Sequence, residues 1–219
     1  MSSVKLTGNT TVYAKWTKAA DEKEDDDKTD LTGWKNPFVD VSSADWYYEN
    51  VRYAVENKLM NGTSENTFSP NNALTRAMLV TVLYRLEGEP DAENVSFTDV
   101  DSEAYYANAV AWAKQNGIVN GVTENEFAPD NNITREQIAA IMHRYAQYKG
   151  YNVSVGENTN ILSYTDSESI SEYAVASMQY VVGSGLIKGK SDTTLNPKDN
   201  ATRAEIAAIL QRFIEANKR

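Results

Sequence analysis

Three Thr-Arg pairs stand out as the residues able to do chemistry: Thr75-Arg76, Thr134-Arg135 and Thr202-Arg203. Each precedes an amphipathic stretch, so the threonine reads as a helix N-cap whose hydroxyl accepts a backbone N–H. Gln137 and Glu205, three residues beyond their caps, can return a bond and complete a capping box; Met78 leaves the first copy without one. The arginine is harder to place. A cation there faces the positive end of the helix macrodipole, at a cost of ~0.3–1 kcal/mol, yet it occurs three times while its neighbours vary. Two readings account for it. In the first, free N–H groups, dipole and guanidinium converge on a carboxylate or phosphate, with the arginine fork gripping both oxygens. In the second, Arg76, Arg135 and Arg203 pair with Asp40, Asp99 and Asp166 and pin one repeat to another. The two are compatible, since an aspartate can orient an arginine whose other face meets a ligand.

The elements around these pairs repeat. Phe38-Val39-Asp40-Val41 recurs as Phe97-Thr98-Asp99-Val100 and, more loosely, as Tyr164-Thr165-Asp166. Leu59-Met60-Asn61-Gly62 recurs as Ile118-Val119-Asn120-Gly121 and Leu186-Ile187-Lys188-Gly189, and Phe68-Ser69-Pro70 as Phe127-Ala128-Pro129 and Leu195-Asn196-Pro197. The offset is 59 residues between the first two copies (76 to 135) and 68 between the next two (135 to 203), which puts about nine extra residues in the polar stretch 150–160. Each unit reads as helix, loop, helix. The second helices carry apolar stripes at i, i+3, i+4, i+7: Leu79, Val82, Leu83, Leu86; Ile138, Ile141, Met142, Tyr145; Ile206, Ile209, Leu210, Phe213. The first helices carry Tyr47, Val51, Ala54 and their equivalents. Gly117 and Gly185 occupy the position of a helix C′ glycine, which Lys58 fills in the first unit. One such helix pair cannot close a core, but three can by packing their stripes together. The expectation is an all-α assembly of three units with approximate threefold pseudosymmetry.

Trp46, Tyr105 and Tyr173 open the three first helices at equivalent positions. They serve packing, or offer aromatic faces to sugar rings. Gly62, Gly121 and Gly189 are expected to serve turns with positive φ, and to let a ligand approach the backbone.

Composition narrows the function. Lys+Arg is 21 against Asp+Glu 31, a net charge of −10, which argues against a nucleic-acid-binding surface. One histidine, His143, and no cysteine leave no thiolate or His-rich metal site, and no cofactor motif is present. His143 lies off the apolar stripe and reads as an ordinary surface residue. No apolar run reaches the length of a membrane span, and no apolar leader follows Met1. Residues 21–30, DEKEDDDKTD, read as a solvated linker. Before them, residues 4–17 read as strands around a Gly8-Asn9 turn.

The repeated motifs resemble the S-layer homology domain, which occurs in triplets at one end of bacterial cell-surface proteins. The likeness rests on the opening Phe-x-Asp-Val, the aromatic starting the first helix, the Gly-Ile-Val-x-Gly and Phe-x-Pro elements, and Thr202-Arg203-Ala204-Glu205, the full signature kept only in the third unit. It covers roughly residues 34–217. The ending Tyr13-Ala14-Lys15-Trp16 resembles the last strand of a Listeria–Bacteroides-type β repeat. The organisation expected is a β-repeat remnant at 1–18, an acidic linker at 19–33, and repeats at 34–92, 93–152 and 153–219. The resemblance implies a three-pronged assembly with a central helical bundle, monomeric with an internal pseudo-trimer. It also implies an extracellular, non-enzymatic protein anchored to the cell wall. The partner would be a secondary cell-wall polysaccharide bearing pyruvylated N-acetylmannosamine, bound between units. The family's signature arginine falls on Arg76, Arg135 and Arg203; Thr75, Thr134, Thr202, the three aspartates, the three aromatics and the three loop glycines complete the candidate site. The departures at Met78, Glu136, Gln137 and Leu195 make three unequal grooves the expectation. A protein–protein module held together by Arg–Asp pairs is the alternative, and a calcium-loop reading of Asp99-Val100-Asp101-Ser102-Glu103 lacks the glycine and closing glutamate of such a loop.

Overall fold

The computed structural model describes residues 33–93 and 97–218. The expected strands at 4–17 and the acidic run 21–30 lie outside these residues. Residues 36–219 form one compact unit. Among the described residues it holds six α-helices: α1 (Tyr48–Glu56), α2 (Arg76–Leu86), α3 (Ala107–Gln115), α4 (Arg135–Tyr148), α5 (Val175–Gly183) and α6 (Arg203–Ala216). The all-α, two-helices-per-repeat expectation is therefore met. The inserted stretch before the third unit is not a bare loop: Ser154–Asn158 winds into a 3-10 turn, and Gly156 lies against the backbone of Tyr180 in α5.

The stripes pack, but not within a repeat. The helix pairs in close contact are α2 with α3, α4 with α5, and α6 with α1. Each second helix thus covers the first helix of the following repeat, and the last returns to the first. This is why no repeat closes a core alone. Backbone bonds run around the same cycle in the opposite sense, each repeat donating to the one before it. Leu74 N donates to the carbonyl of Ala201, Ala201 N to that of Ile133, and Ile133 N to that of Leu74, at 2.9–3.1 Å. These three residues are equivalent in the repeats, and all are fully buried. Antiparallel bridges Ala73–Thr202, Thr75–Asn132 and Thr134–Asn200 flank the ring.

Local capping follows the sequence closely. Thr134/Gln137 and Thr202/Glu205 form complete capping boxes, while Thr75 has only the bond from Met78 N. Lys58 adopts φ 57° where Gly117 and Gly185 adopt 67° and 70°, so a non-glycine residue carries the left-handed helix ending of the first unit. Tyr145, in α4, is 1% exposed and lies where α2, α3 and α6 meet. Its ring packs on Trp112 and Phe213, and its hydroxyl donates to Glu87, which also receives Lys149. His143 is not an ordinary surface residue: it is half-buried between α4 and α5, stacked on Tyr180 at 4.8 Å, with Nδ1 3.1 Å from Ser177 Oγ.

Candidate functional site: three grooves between repeats

The Thr-Arg pairs sit at the junctions, and both readings of the arginine need revision. Arg76, Arg135 and Arg203 are 5%, 4% and 7% exposed. Arg76 Nε donates to the Phe127 carbonyl at 2.8 Å and Nη2 to that of Asn120 at 3.1 Å. Arg135 does the same to Leu195 and Lys188, and Arg203 to Phe68 and Asn61. Each arginine thereby clamps the loop of the next repeat in the cycle. The Arg76 and Arg203 guanidiniums also lie over the rings of Phe127 and Phe68, at 4.8 and 4.6 Å. Leu195 gives Arg135 no such ring. Burial pushes all three guanidinium pKa values down.

None of these arginines forms an ion pair with Asp40, Asp99 or Asp166. Those carboxylates tie their own loops instead. Asp40 accepts from Phe68 N and Ser69 N, Asp99 from Phe127 N and Ala128 N, and Asp166 from Leu195 N and Asn196 N, each aspartate holding paired amides at 2.6–3.1 Å. The short loop this makes lets Ser69, Ala128 and Asn196 take positive φ. The aspartate folds the loop, and the loop presents the carbonyl that the arginine of another repeat grips.

The helix N-termini are not open anion sites either. Arg76 N and Ala77 N donate to the carbonyls of Asn131 and Pro129, and the other two helices match this through Asp199 and Pro197, and Asn72 and Pro70. The next amide goes to the capping threonine. Protein carbonyls have taken the place that a ligand oxygen would occupy.

What remains open lies beside these clamps. A cavity of about 350 Å³ is lined by Arg76, Gly121, Gln137, Arg144 and Tyr173. A second, about 300 Å³, is lined by Arg135, Gly189, Glu205, Arg212 and Trp46. A third, about 450 Å³, is lined by Arg203, Gly62, Met78, Arg85 and Tyr105. The composition repeats. One repeat supplies a second helix and its loop glycine, the preceding repeat in the cycle supplies the clamp arginine, and the following one supplies the exposed aromatic. Of the five residue types expected at each site, the arginine, glycine and aromatic meet in one groove, while the threonine and aspartate work outside its lining.

The glycines are there for closeness, not for positive φ. A Cβ on Gly121 would stand 2.1 Å from the Thr123 carbonyl oxygen and 2.5 Å from that of Glu126, and one on Gly62 would stand 2.5 Å from the Ser64 carbonyl oxygen. The loop folds back on itself too tightly for any side chain.

Arg85, Arg144 and Arg212 were not anticipated, although they are equivalent by the same offsets of 59 and 68 residues. They are half-buried on the second helices and project into the grooves. Arg85 lies 3.8 Å from Glu89, and Arg212 donates to the Leu186 carbonyl. Arg144 makes no hydrogen bond or ion pair among the described residues.

The S-layer homology domain family matches residues 37–77, 96–139 and 163–207, more than half of the chain. The chain belongs to this family. Its three matched segments each hold a loop aspartate and a clamp arginine, and the cyclic contacts join the three. The β-repeat resemblance of residues 4–17 gains no support from these matches. Related proteins include an endoglucanase of Bacillus sp. (strain KSM-635), 35% identical over 81% of this chain and 19% of the relative. The surface-layer 125 kDa protein of Lysinibacillus sphaericus is 30% identical over 82% and 15%. The cellulosome-anchoring protein of Acetivibrio thermocellus is 25% identical over 71% and 35%. The chain therefore spans about a third or less of these relatives. Among the described residues, no helix is long and apolar enough to cross a membrane.

Proposed function

We propose that this S-layer homology triplet is a non-catalytic anchor that holds a surface protein to the bacterial cell wall. It does so by seating a carboxylate-bearing secondary wall polysaccharide, with pyruvylated N-acetylmannosamine as the recognised unit, in the grooves between repeats. The observation that carries this reading is the repeated grouping of two arginines, an exposed aromatic and a close-folded glycine loop in each groove, drawn from three repeats at once. An aromatic face suits a sugar ring, and a guanidinium suits a ketal carboxylate. The names of the surface-layer and cellulosome-anchoring relatives agree with such a role, and the small share of the endoglucanase that matches agrees with a module carried by a larger protein.

In this reading the clamp arginine has two duties. Its Nε and Nη2 hold the repeats together, and Nη1 of Arg76 and Arg203, which has no partner among the described residues, turns to the ligand. Cutting the triplet apart removes the sites, because no groove belongs to one repeat. The test is co-sedimentation with Gram-positive sacculi, before and after extraction of the polysaccharide and after selective removal of its pyruvate. Binding that disappears with the pyruvate is expected. Undiminished binding to stripped walls, or none to intact ones, returns the triplet to a protein–protein role.

A further inference from the structure

We propose that Glu136 is a positioning residue that presets the groove of Arg76, Arg144 and Tyr173 and makes it the primary site of the three. This rests on the carboxylate-sugar reading above and adds to it which groove fills first and what prepares it.

Glu136 stands where the first and third repeats have Ala77 and Ala204. It is 4% exposed, and a buried carboxylate is costly unless its lone pairs are satisfied. Here they are. Glu136 accepts from Ser171 N and Ser171 Oγ at 2.9 Å, from Lys198 Nζ at 2.7 Å and from the Tyr173 hydroxyl at 3.3 Å. Two of these donors flank the aromatic of the groove, and one is that aromatic. The other grooves hold their aromatic differently. Trp46 meets the ring of Tyr47 edge-on at 5.3 Å, and Tyr105 meets Tyr106 at 5.0 Å. In the third repeat the neighbouring ring is replaced by Ala174. Glu136 supplies from across the repeat boundary the restraint that Ala174 withdraws. A side chain already fixed in its binding geometry loses less entropy when a sugar stacks on it.

Charge points to the same groove. Arg144 is half-buried with no protein partner among the described residues, whereas Arg85 has Glu89 and Arg212 has a carbonyl. Nη1 of Arg76 is open, while that of Arg135 faces Glu205 at 3.8 Å. The Arg135 groove has further cations in Lys188 and Lys190, but Glu205 pairs with Lys190 and places a fixed negative charge where a ligand carboxylate would sit. In the Arg76 groove the same position is neutral Gln137. Its Oε1 is engaged with Thr134 N, which leaves its amide N–H groups for a sugar oxygen. Burial and the nearby Glu136 push the Tyr173 hydroxyl up to about 12, so it stays a donor at neutral pH.

The test is a titration of the whole 15N-labelled chain with a pyruvate-ketal derivative of N-acetylmannosamine, following the amides of Gly121, Gly189 and Gly62, one in each groove. Gly121 is expected to saturate at the lowest concentration. Glu136→Ala is expected to weaken that site about tenfold while leaving Gly62 unchanged, and Glu136→Gln, which keeps an acceptor for Tyr173 but loses the charge that holds Lys198, to recover only part of the loss. In a Tyr173→Ala background, Glu136→Ala should cost no further affinity. A purely structural role would lower all three sites together and would persist in that background, which would overturn the proposal. So would earlier saturation at Gly62 or Gly189. Those outcomes leave wall anchoring standing; absence of a response at all three glycines, with no sedimentation, removes both.

Discussion

Arg203, in the last repeat, donates its Nε to the carbonyl of Phe68, in the first, at 2.8 Å across 135 residues of chain. That contact closes the cycle begun by Arg76 and Arg135. Its loss leaves the carbonyl of Phe68 unpaired in a buried place, releases that of Asn61 and uncovers the Phe68 ring. Arg203→Ala is therefore expected to destabilise the whole unit by about 3 kcal/mol in denaturant unfolding, the scale of a charged hydrogen bond lost with its partner left buried. Loss of stability and loss of binding should come together. Arg144→Ala should separate them, lowering affinity for the pyruvylated sugar with an unchanged unfolding midpoint. A marked shift of that midpoint would show Arg144 to be structural.

The aspartates make a contrasting prediction. Asp99 touches two amides of its own repeat and no arginine. Asp99→Asn keeps one acceptor oxygen and turns the other toward an amide as a donor. A loss of about 1.5–3 kcal/mol is expected, accompanied by faster hydrogen exchange at Phe127 and Ala128. Exchange unchanged at those amides would contradict the role given to the aspartate.

The sequence carried the repeat offsets, the six helices and the caps, because all three are written in local patterns: an apolar period, Thr three residues before Gln or Glu, a proline before the next helix. It did not carry the destination of the arginines. A backbone carbonyl has no residue type, so nothing in the letters at Phe127, Leu195 or Phe68 marks them as acceptors. Aspartate, being charged, drew the pairing that the loop amides in fact satisfy. Arg85, Arg144 and Arg212 were as periodic as the clamp arginines. They passed unremarked because a basic residue well inside a helix breaks no local rule, whereas one at its start does. Glu136 read only as a departure from the repeated motif; its meaning lies in Ser171 and Tyr173, which folding brings to it from the next repeat.

Lys58 gives a prediction in the stabilising direction. Its φ of 57° puts an L side chain in the left-handed region at a helix end where the other repeats use glycine. Relief of that strain by Lys58→Gly is expected to add up to about 1 kcal/mol, less the entropy a glycine gains in the unfolded chain. Thermal or denaturant unfolding checks it, and a clear loss would mean that the lysine makes up for its backbone elsewhere.

Acid should act through Glu136. Burial alone would raise its carboxyl pKa, but hydrogen bonds from Lys198 and Ser171 outweigh burial and hold it below the ordinary value of 4.5. Its folded pKa is thus depressed. The stability it contributes is fully present above the unfolded value and is lost as pH falls through the folded one. Lys198 and Tyr173 are the titratable groups facing it; burial and Glu136 hold the Tyr173 hydroxyl pKa up, so that hydroxyl keeps its proton throughout that range. Unfolding free energy should therefore drop more steeply below about pH 4.5 in the native chain than in Glu136→Gln, whose uncharged amide does not titrate. The Gly121 groove should weaken over the same interval, because protonation turns the acceptor of Lys198 into a neutral acid and loosens Tyr173. The pyruvate carboxylate titrates too, so Gly62 serves as the internal control: a loss at Gly121 that merely parallels Gly62 would assign the effect to the ligand, and a larger one to Glu136.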